Sequence, residues 1–403
     1  MLTPFRVPAF RIAWASSLAA AGGQWMERVI SGWLALEIGG DAVAVGAVLA
    51  VRLLPFVLLG LVAGTVADRF SRRTVLMAVA GGATVLALAL SYLFAGGAAR
   101  LWHLIAIGVL FGVVQVFDMT SRSAFVVDLV GREGASSAIA LNAVAQRFFG
   151  ALGALAGGLI IPTLGVSGGY LVVAALYATG LVLLAAVRVP PRQAVASAPP
   201  ISFRRALLGT ARLILDNRAV RMVAIASLAC ETFGYSHQAA LPTLARDVLL
   251  AGPQGLGQLS AASSLGATLS VFALSALPAA VPRPPLLAAT LFAWGLALVA
   301  LGTSSVVPLS LVLMLAVGAC ASAVDVLNQT IAQMGVSEGE RGRAVGVWVF
   351  SIGMNVVGLM QVGALVVLVG APSTLIGNGV GAALSALLIV SLAPAYRWRR
   401  VTA

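Results

Sequence analysis

The sequence predicts an all-α polytopic membrane protein of about twelve spans, on three observations. Of its 403 residues, 60% are hydrophobic and only 9% are charged, against roughly 25% charged in a soluble domain. Apolar runs of bilayer-crossing length, about 20 residues each, fill nearly all of the chain outside residues 189–218. The arginines gather in short clusters between those runs. So few charges could not cover a soluble surface of this size, and the surplus apolar area must face lipid.

The expected spans, in order, are 10–37, 43–67, 74–98, 101–130, 138–163, 168–188, 219–245, 255–279, 285–303, 306–334, 343–369 and 372–394. Each is expected to be helical, because inside lipid a backbone must satisfy its polar groups within its own segment. The first follows Arg6 and Arg11 and runs on past Gly32 with no small-residue cleavage site at the right place, so an uncleaved span is expected. A basic loop around Asp68 divides the second span from the third, and Arg100 divides the third from the fourth. Residues 130–134, Val-Gly-Arg-Glu-Gly, separate the fourth from the fifth. After the sixth span, 189–218 opens extended at Val189-Pro190-Pro191-Arg192. Phe203, Leu207, Ala211 and Ile214 then recur at helical spacing between Arg204, Arg205 and Arg212, which predicts an amphipathic helix on the membrane surface. This linker divides the chain into an N-terminal bundle (1–188) and a C-terminal bundle (219–403) of six spans each. Beyond it, Ala245-Arg246-Asp247 closes the seventh span and residues 336–343 close the tenth.

All 25 basic residues are arginine, and the formal net charge is +12. With both termini and the linker placed inside, 19 arginines lie on that face, two on the other (Arg100 and Arg246) and four within spans. That asymmetry follows the positive-inside rule and predicts cytoplasmic termini. It also explains the basic balance without nucleic acid. Cys230 and Cys320 both lie in apolar runs, so a disulfide framework is not expected. Asp118 and Asp325 stand 207 residues apart, each ahead of a charged loop, a weak repeat of half the chain length. Parallel six-span repeats are a transporter architecture in which two bundles rock about a central site.

Between the second and third spans runs Gly64-Thr65-Val66-Ala67-Asp68-Arg69-Phe70-Ser71-Arg72-Arg73. Gly64 permits close helix approach, Asp68 can cap or pair at a helix end, and the arginines suit lipid headgroups or carboxylates. Asp128, near the inner end of the fourth span, is a partner for Arg72 or Arg73. The pattern resembles the G-x-x-x-D-R-x-x-R-R signature of the major facilitator superfamily. Gly22-Gly23-Gln24-Trp25-Met26-Glu27-Arg28, Gly32-Trp33-Leu34, Arg52-Leu53-Leu54-Pro55, Leu241-Pro242 and Ala245-Arg246-Asp247-Val248-Leu249 resemble its branch of enterobactin exporters and macrolide-efflux proteins, which are drug:proton antiporters. The resemblance implies twelve helices in two six-helix bundles related by a pseudo-two-fold axis, alternating access, and a monomer in a prokaryotic inner membrane. It also implies that Gly64, Asp68, Arg69, Arg72, Arg73 and Asp128 form a cytoplasmic gating network. Where exporters carry Gly-Pro in the fifth span, this chain has Gly150-Ala151, within a smooth face of Gly150, Gly153, Gly157 and Gly158.

A charge at the centre of a spanning helix costs at least about 2.5–3.5 kcal/mol, so such residues face a partner, a cavity or a pathway. Gln24, Glu27, Arg28 and Ser31 follow i, i+3, i+4, i+7 and share one face of the first span. Gln115, Asp118 and Arg122 do so in the fourth, and Asn142, Gln146 and Arg147 in the fifth. Ser227, Glu231, Gly234 and Gln238 line the seventh, with His237 nearby, and Ser322, Asp325, Asn328 and Gln329 the tenth. The resemblance places spans 1, 4, 7 and 10 around one central cavity, and each carries a carboxylate. Glu27 and Arg52 lie at similar depth and can pair, as can Asp118 and Arg122 within one helix. Such pairs fit either a stabilising or a transporting role. Glu231 has no cation within its own helix. Glu27, Glu231 and Asp118 are the proton-coupling candidates. Gln24, Arg28, Arg52, Arg122, Arg147, His237, Asp325 and Asn328 are the substrate-binding candidates. Trp25, Trp33, Phe117, Phe233 and Tyr235 offer stacking surface or plain packing.

Proton-driven export of an amphipathic small molecule is one reading; uptake or exchange of an anionic metabolite or lysolipid on the buried arginines is another. Phosphate-loop and metalloprotease motifs are absent from the sequence, so neither an ATP-driven pump nor an enzyme is expected, and no cofactor or metal is called for.

Overall fold

In the computed structural model the apolar runs become helices. The structure describes residues 3–59, 70–188, 214–278, 281–334, 336 and 341–392. Helix α1 is Pro8–Gly39, α2 begins as Ala42–Val51, and α3 is Arg72–Ala95. The helical stretch Leu101–Ala186 turns at Gly131 and Gly165, whose φ angles of 73° and 68° a side chain would oppose. It thereby yields α4 (101–130), α5 (132–164) and α6 (166–186). Helix α7 starts as Arg218–Ala229, α8 is Gly252–Ser275, α9 is Arg283–Thr303 and α10 is Val307–Met334. Arg341–Leu392 turns at Gly370 into α11 (341–369) and α12 (371–392). Ten of these helices match their expected spans to within six residues; the expected end of the second, 60–67, lies outside the described residues, and the seventh, expected over 219–245, holds regular α geometry only to Ala229. The linker helix and the residues Gly64, Asp68 and Arg69 lie outside the described residues.

Among the described residues seven stretches are long and apolar enough to cross a membrane, and two of these hold a pair of helices joined at a glycine turn. Helices α1 and α8 are diluted by polar side chains, and α7 keeps regular α geometry for only 12 residues. The protein is thus a multi-pass membrane protein.

Glycine seams pack the helices and show their symmetry. In the first half, a Cβ on Gly153 of α5 would collide with the Gly22 carbonyl of α1; in the second, one on Gly358 of α11 would stand 2.6 Å from the Glu231 carbonyl of the α7 segment. Gly112 of α4 meets the Arg52 carbonyl in the α2 segment as Gly318 of α10 meets that of Ser263 in α8. Between the halves, a Cβ on Gly158 of α5 would lie 2.6 Å from the Pro253 carbonyl of α8, and one on Gly46 of α2 would lie 2.6 Å from the Leu359 carbonyl of α11. Each contact maps onto its counterpart when spans 1–6 are exchanged with spans 7–12, as a pseudo-two-fold axis requires. Lipid supplies no hydrophobic force between helices, so such close approaches carry the association.

Most of the approaches between the halves cluster at the end that holds the α1–α2 turn. Gly158, Gly46 and Gly363 lie there, and a Cβ on Gly32 of α1 would come within 3.9 Å of Pro242. Leucine at Gly158 is therefore expected to hold that end apart. Spin labels at Thr163 and Gln254 should report a longer distance in Gly158→Leu by double electron–electron resonance. Leucine at Gly377, where a Cβ meets nothing within 4 Å, should leave the distance unchanged.

Candidate functional site

Two helix irregularities place the charged groups. Pro55 has no N–H and its ring opposes the carbonyl four residues back, so the second span breaks at Arg52 and Leu53 and resumes over 54–59. Leu53 and Phe56 bond three residues back instead, to Ala50 at 2.9 Å and to Leu53 at 3.0 Å. The break sets Arg52 across from α1, where Nη1 donates to Glu27 Oε2 and lies 3.5 Å from Ser31 Oγ. Its guanidinium also covers the Phe111 ring at 5.5 Å. Both members of the pair are buried, Glu27 at 1% and Arg52 at 3% exposure. One turn apart on α4, Arg122 grips Asp118 with two bonds, Nε to Oδ2 at 2.8 Å and Nη2 to Oδ1 at 2.5 Å.

Arg52 of the first pair and both members of the second border one hollow inside the first half, lined among others by Gln24, Arg52, Gln115, Asp118, Arg122 and Tyr177. Its volume is about 20 Å³, room for about one water molecule. Gln115 Oε1 is buried there without a hydrogen-bond partner among the described residues, which is the kind of group a water satisfies. Gln24, Arg52 and Arg122 therefore surround a water-sized space in this conformation.

The second irregularity lies in the seventh span, expected as one regular helix over 219–245. After Ala229 it widens into a π-turn at Cys230–Gly234, tightens into a 3₁₀ turn at Tyr235–Ala239, and reaches Pro242. The indole of Trp294 fills the place a Cβ on Gly234 would take, 2.6 Å away, so the α9 packing and the missing Pro242 amide both disturb regular winding. The π-turn carries Glu231, which is 5% exposed and accepts a hydrogen bond from the Asn355 side chain of α11. No ion pair to Glu231 is found among the described residues. Asp325 of α10 interacts with Glu231 and accepts the Tyr235 hydroxyl at 2.5 Å. Asn328 donates to Ser227 Oγ at 3.3 Å. His237, expected near the end of its span, is instead buried and bonds the Gly234 carbonyl at 2.6 Å through Nδ1.

The four carboxylates expected around one cavity thus fall into two groups, one in each half. The reason is packing: α1 and α4 turn Glu27 and Asp118 toward arginines of their own half, and the π-turn directs Glu231 to α10 and α11. Two arginines stand apart. Arg28 lies over the Trp25 ring at 4.9 Å, and Trp25 in turn packs on Gly150 of α5, one turn from Arg147. Neither arginine side chain donates a hydrogen bond among the described residues, and both are half-buried. At the opposite end of the bundle Arg72 donates to Asp128 at 2.6 Å and to the Ala124 carbonyl at 2.9 Å. Arg73 donates to the Leu184 and Ala185 carbonyls at 3.0 and 2.5 Å. The start of α3 is thereby tied to the ends of α4 and α6.

Sequence reasoning did not single out Asn355 or Tyr177. Asn355 could have been found as a lone amide in the apolar run of α11, by the polar-stripe logic used on other spans. Tyr177 has no periodic signal, and only the packing of α6 against α1 brings it to the hollow.

Comparison with known proteins matches residues 1–397 to the family described as "Transmembrane secretion effector". The chain is 25% identical over 404 residues to the "Multidrug efflux pump Tap" of Mycobacterium tuberculosis, covering 97% of this chain and 94% of that protein. Among solved structures, a point variant of the nucleoside transporter NupG superposes with a TM-score of 0.77 at 13% identity, over 95% of this chain and 99% of that one. The inward-open xylose transporter XylE from E. coli superposes with a TM-score of 0.71 at 15% identity, over 96% of both chains. These two likenesses show the fold.

Removing one member of a buried ion pair costs about 3–5 kcal/mol, because the other charge stays buried alone. Arg52→Met is expected to lower the thermal unfolding midpoint in detergent sharply, and the double change Glu27→Met with Arg52→Met to restore most of it. A single variant as stable as the double would refute a structural role for the pair.

Proposed function

The chain belongs to the transmembrane secretion effector family of the major facilitator superfamily, and we propose that it exports amphipathic small molecules in exchange for protons by alternating access. It is a transporter of small molecules and not an enzyme. The observation that carries the coupling is Glu231, buried on a π-turn and held by an amide, with no ion pair among the described residues. An ionised carboxylate without a cation is costly to keep from water, and a protonated one is not. A group so placed takes a proton when water reaches it from one side and gives it up when water reaches it from the other. Glu27 and Asp118 serve as further proton sites, with Arg52 and Arg122 as the cations that hold them between transfers.

On this reading the halves are 1–188 and 219–403, joined by 189–218. The arginine asymmetry supports cytoplasmic termini in a bacterial inner membrane, with the linker arginines on lipid headgroups. The end that holds the α1–α2 turn is then the outer one, and the glycine approaches there close the protein to the outside. The Arg72–Asp128 pair belongs to the inner gate together with Gly64, Asp68, Arg69 and Arg73. Gln24, Arg28, Arg147, His237, Asp325 and Asn328 contribute to the substrate path, and the protein works as a monomer. The description of the mycobacterial relative as a multidrug pump supports a substrate range of drug-like compounds.

In proteoliposomes an imposed pH gradient is expected to drive dye flux, and Glu231→Gln to abolish the gradient-driven part while leaving dye binding in place. Flux that ignores both the gradient and the substitution would defeat the coupling.

A further inference from the structure

We infer that Arg28 and the Trp25 ring form a subsite for the anionic end of an amphipathic substrate. This rests on the export reading above and names its substrate class. Four arginines lie within the spans: Arg28, Arg52, Arg122 and Arg147. Arg52 and Arg122 are neutralised by Glu27 and Asp118, so an incoming anion would have to break a carboxylate pair to reach them. The Arg28 side chain makes no hydrogen bond and no ion pair among the described residues, and its nitrogens are not among the sealed, unsatisfied atoms. What it has is the Trp25 face at 4.9 Å. A ring face attracts the cation without consuming its N–H donors, so the fork stays available to a carboxylate, sulfonate or phosphate.

Position adds a second argument. Trp25, Arg28 and Gly32 share one helical face of α1, and a Cβ on Gly32 would meet Pro242 of the other half at 3.9 Å. Arg28 thus stands one turn below the contact that joins the halves. Trp25 is fixed because its ring rests on Gly150, whose Cβ would lie 2.6 Å from it. Arg147, one turn before Gly150, adds positive charge on the next helix. A held ring beside a guanidinium that has no ion pair among the described residues suits a ligand with a flat apolar body and an acidic group.

Two dyes with one xanthene core and opposite charge test this. Fluorescein is anionic, and tetramethylrhodamine methyl ester is cationic. Anisotropy titrations on the purified protein in detergent, at one pH and without a gradient, should show tighter binding of fluorescein. Arg28→Gln should weaken fluorescein by about tenfold without weakening the cationic dye, and Arg28→Lys should retain most of the preference. A wild-type preference for the cationic dye, unchanged fluorescein affinity in Arg28→Gln, or an equal loss for both dyes would overturn the subsite. If Arg28→Gln does not fold, the wild-type preference and its weakening by added salt decide the matter alone. Loss of pH-driven flux with the dye preference intact would remove proton coupling and leave the subsite standing.

Discussion

Everything in this molecule answers to the expense of a charge inside a helix that must lie in lipid. Among the described residues the deepest charges are handled in three ways. Glu27 and Arg52 neutralise each other across two helices, and Asp118 and Arg122 along one. Glu231 is held by an amide beside a second carboxylate, and Arg28 by an aromatic face. The first solution favours a firm fold, and a proton reaches Glu27 or Asp118 only by displacing an arginine. The other two leave a group whose charge can be answered from outside, by a proton in one case and by an anion in the other.

The two devices that bring these groups together are breaks in regular winding. Pro55 interrupts the second span and leaves Arg52 at a bend, within reach of Glu27. In the seventh span the Trp294 indole against Gly234, followed by Pro242, gives a π-turn and then a 3₁₀ turn. The extra residue in the π-turn rotates Glu231 relative to a regular helix and sets Tyr235 against Asp325. Both breaks lie in spans that also carry an approach between the halves, at Gly46 in one and at Pro242 in the other. A motion of one half against the other would load those bends first.

Glycine seams give that motion its hinge surface. Within a half the backbones approach at Gly153, Gly112, Gly358 and Gly318, and between the halves at Gly158, Gly46 and Gly363. Contacts of the first kind hold each half as a unit. Those of the second kind are few and gathered mostly at one end, so they can part without disturbing the packing inside either half.

The sequence by itself determined the helices and the polar faces of five of them, because backbone satisfaction in lipid and a 3.6-residue period are local rules. It also foretold the Asp118–Arg122 pair, a one-helix relation, and the Glu27–Arg52 and Arg72–Asp128 pairs, which equal depth in neighbouring spans brings within reach. Only the tertiary structure decided that the carboxylates divide between the halves, that Asn355 and Tyr235 attend Glu231 and Asp325, and that the Arg28 side chain meets the Trp25 ring and no hydrogen-bond acceptor among the described residues. Those facts depend on how far each helix is rotated about its axis. That rotation is set by glycine contacts and winding defects between residues as distant as Gly234 and Trp294, and no rule running along a single helix reaches so far.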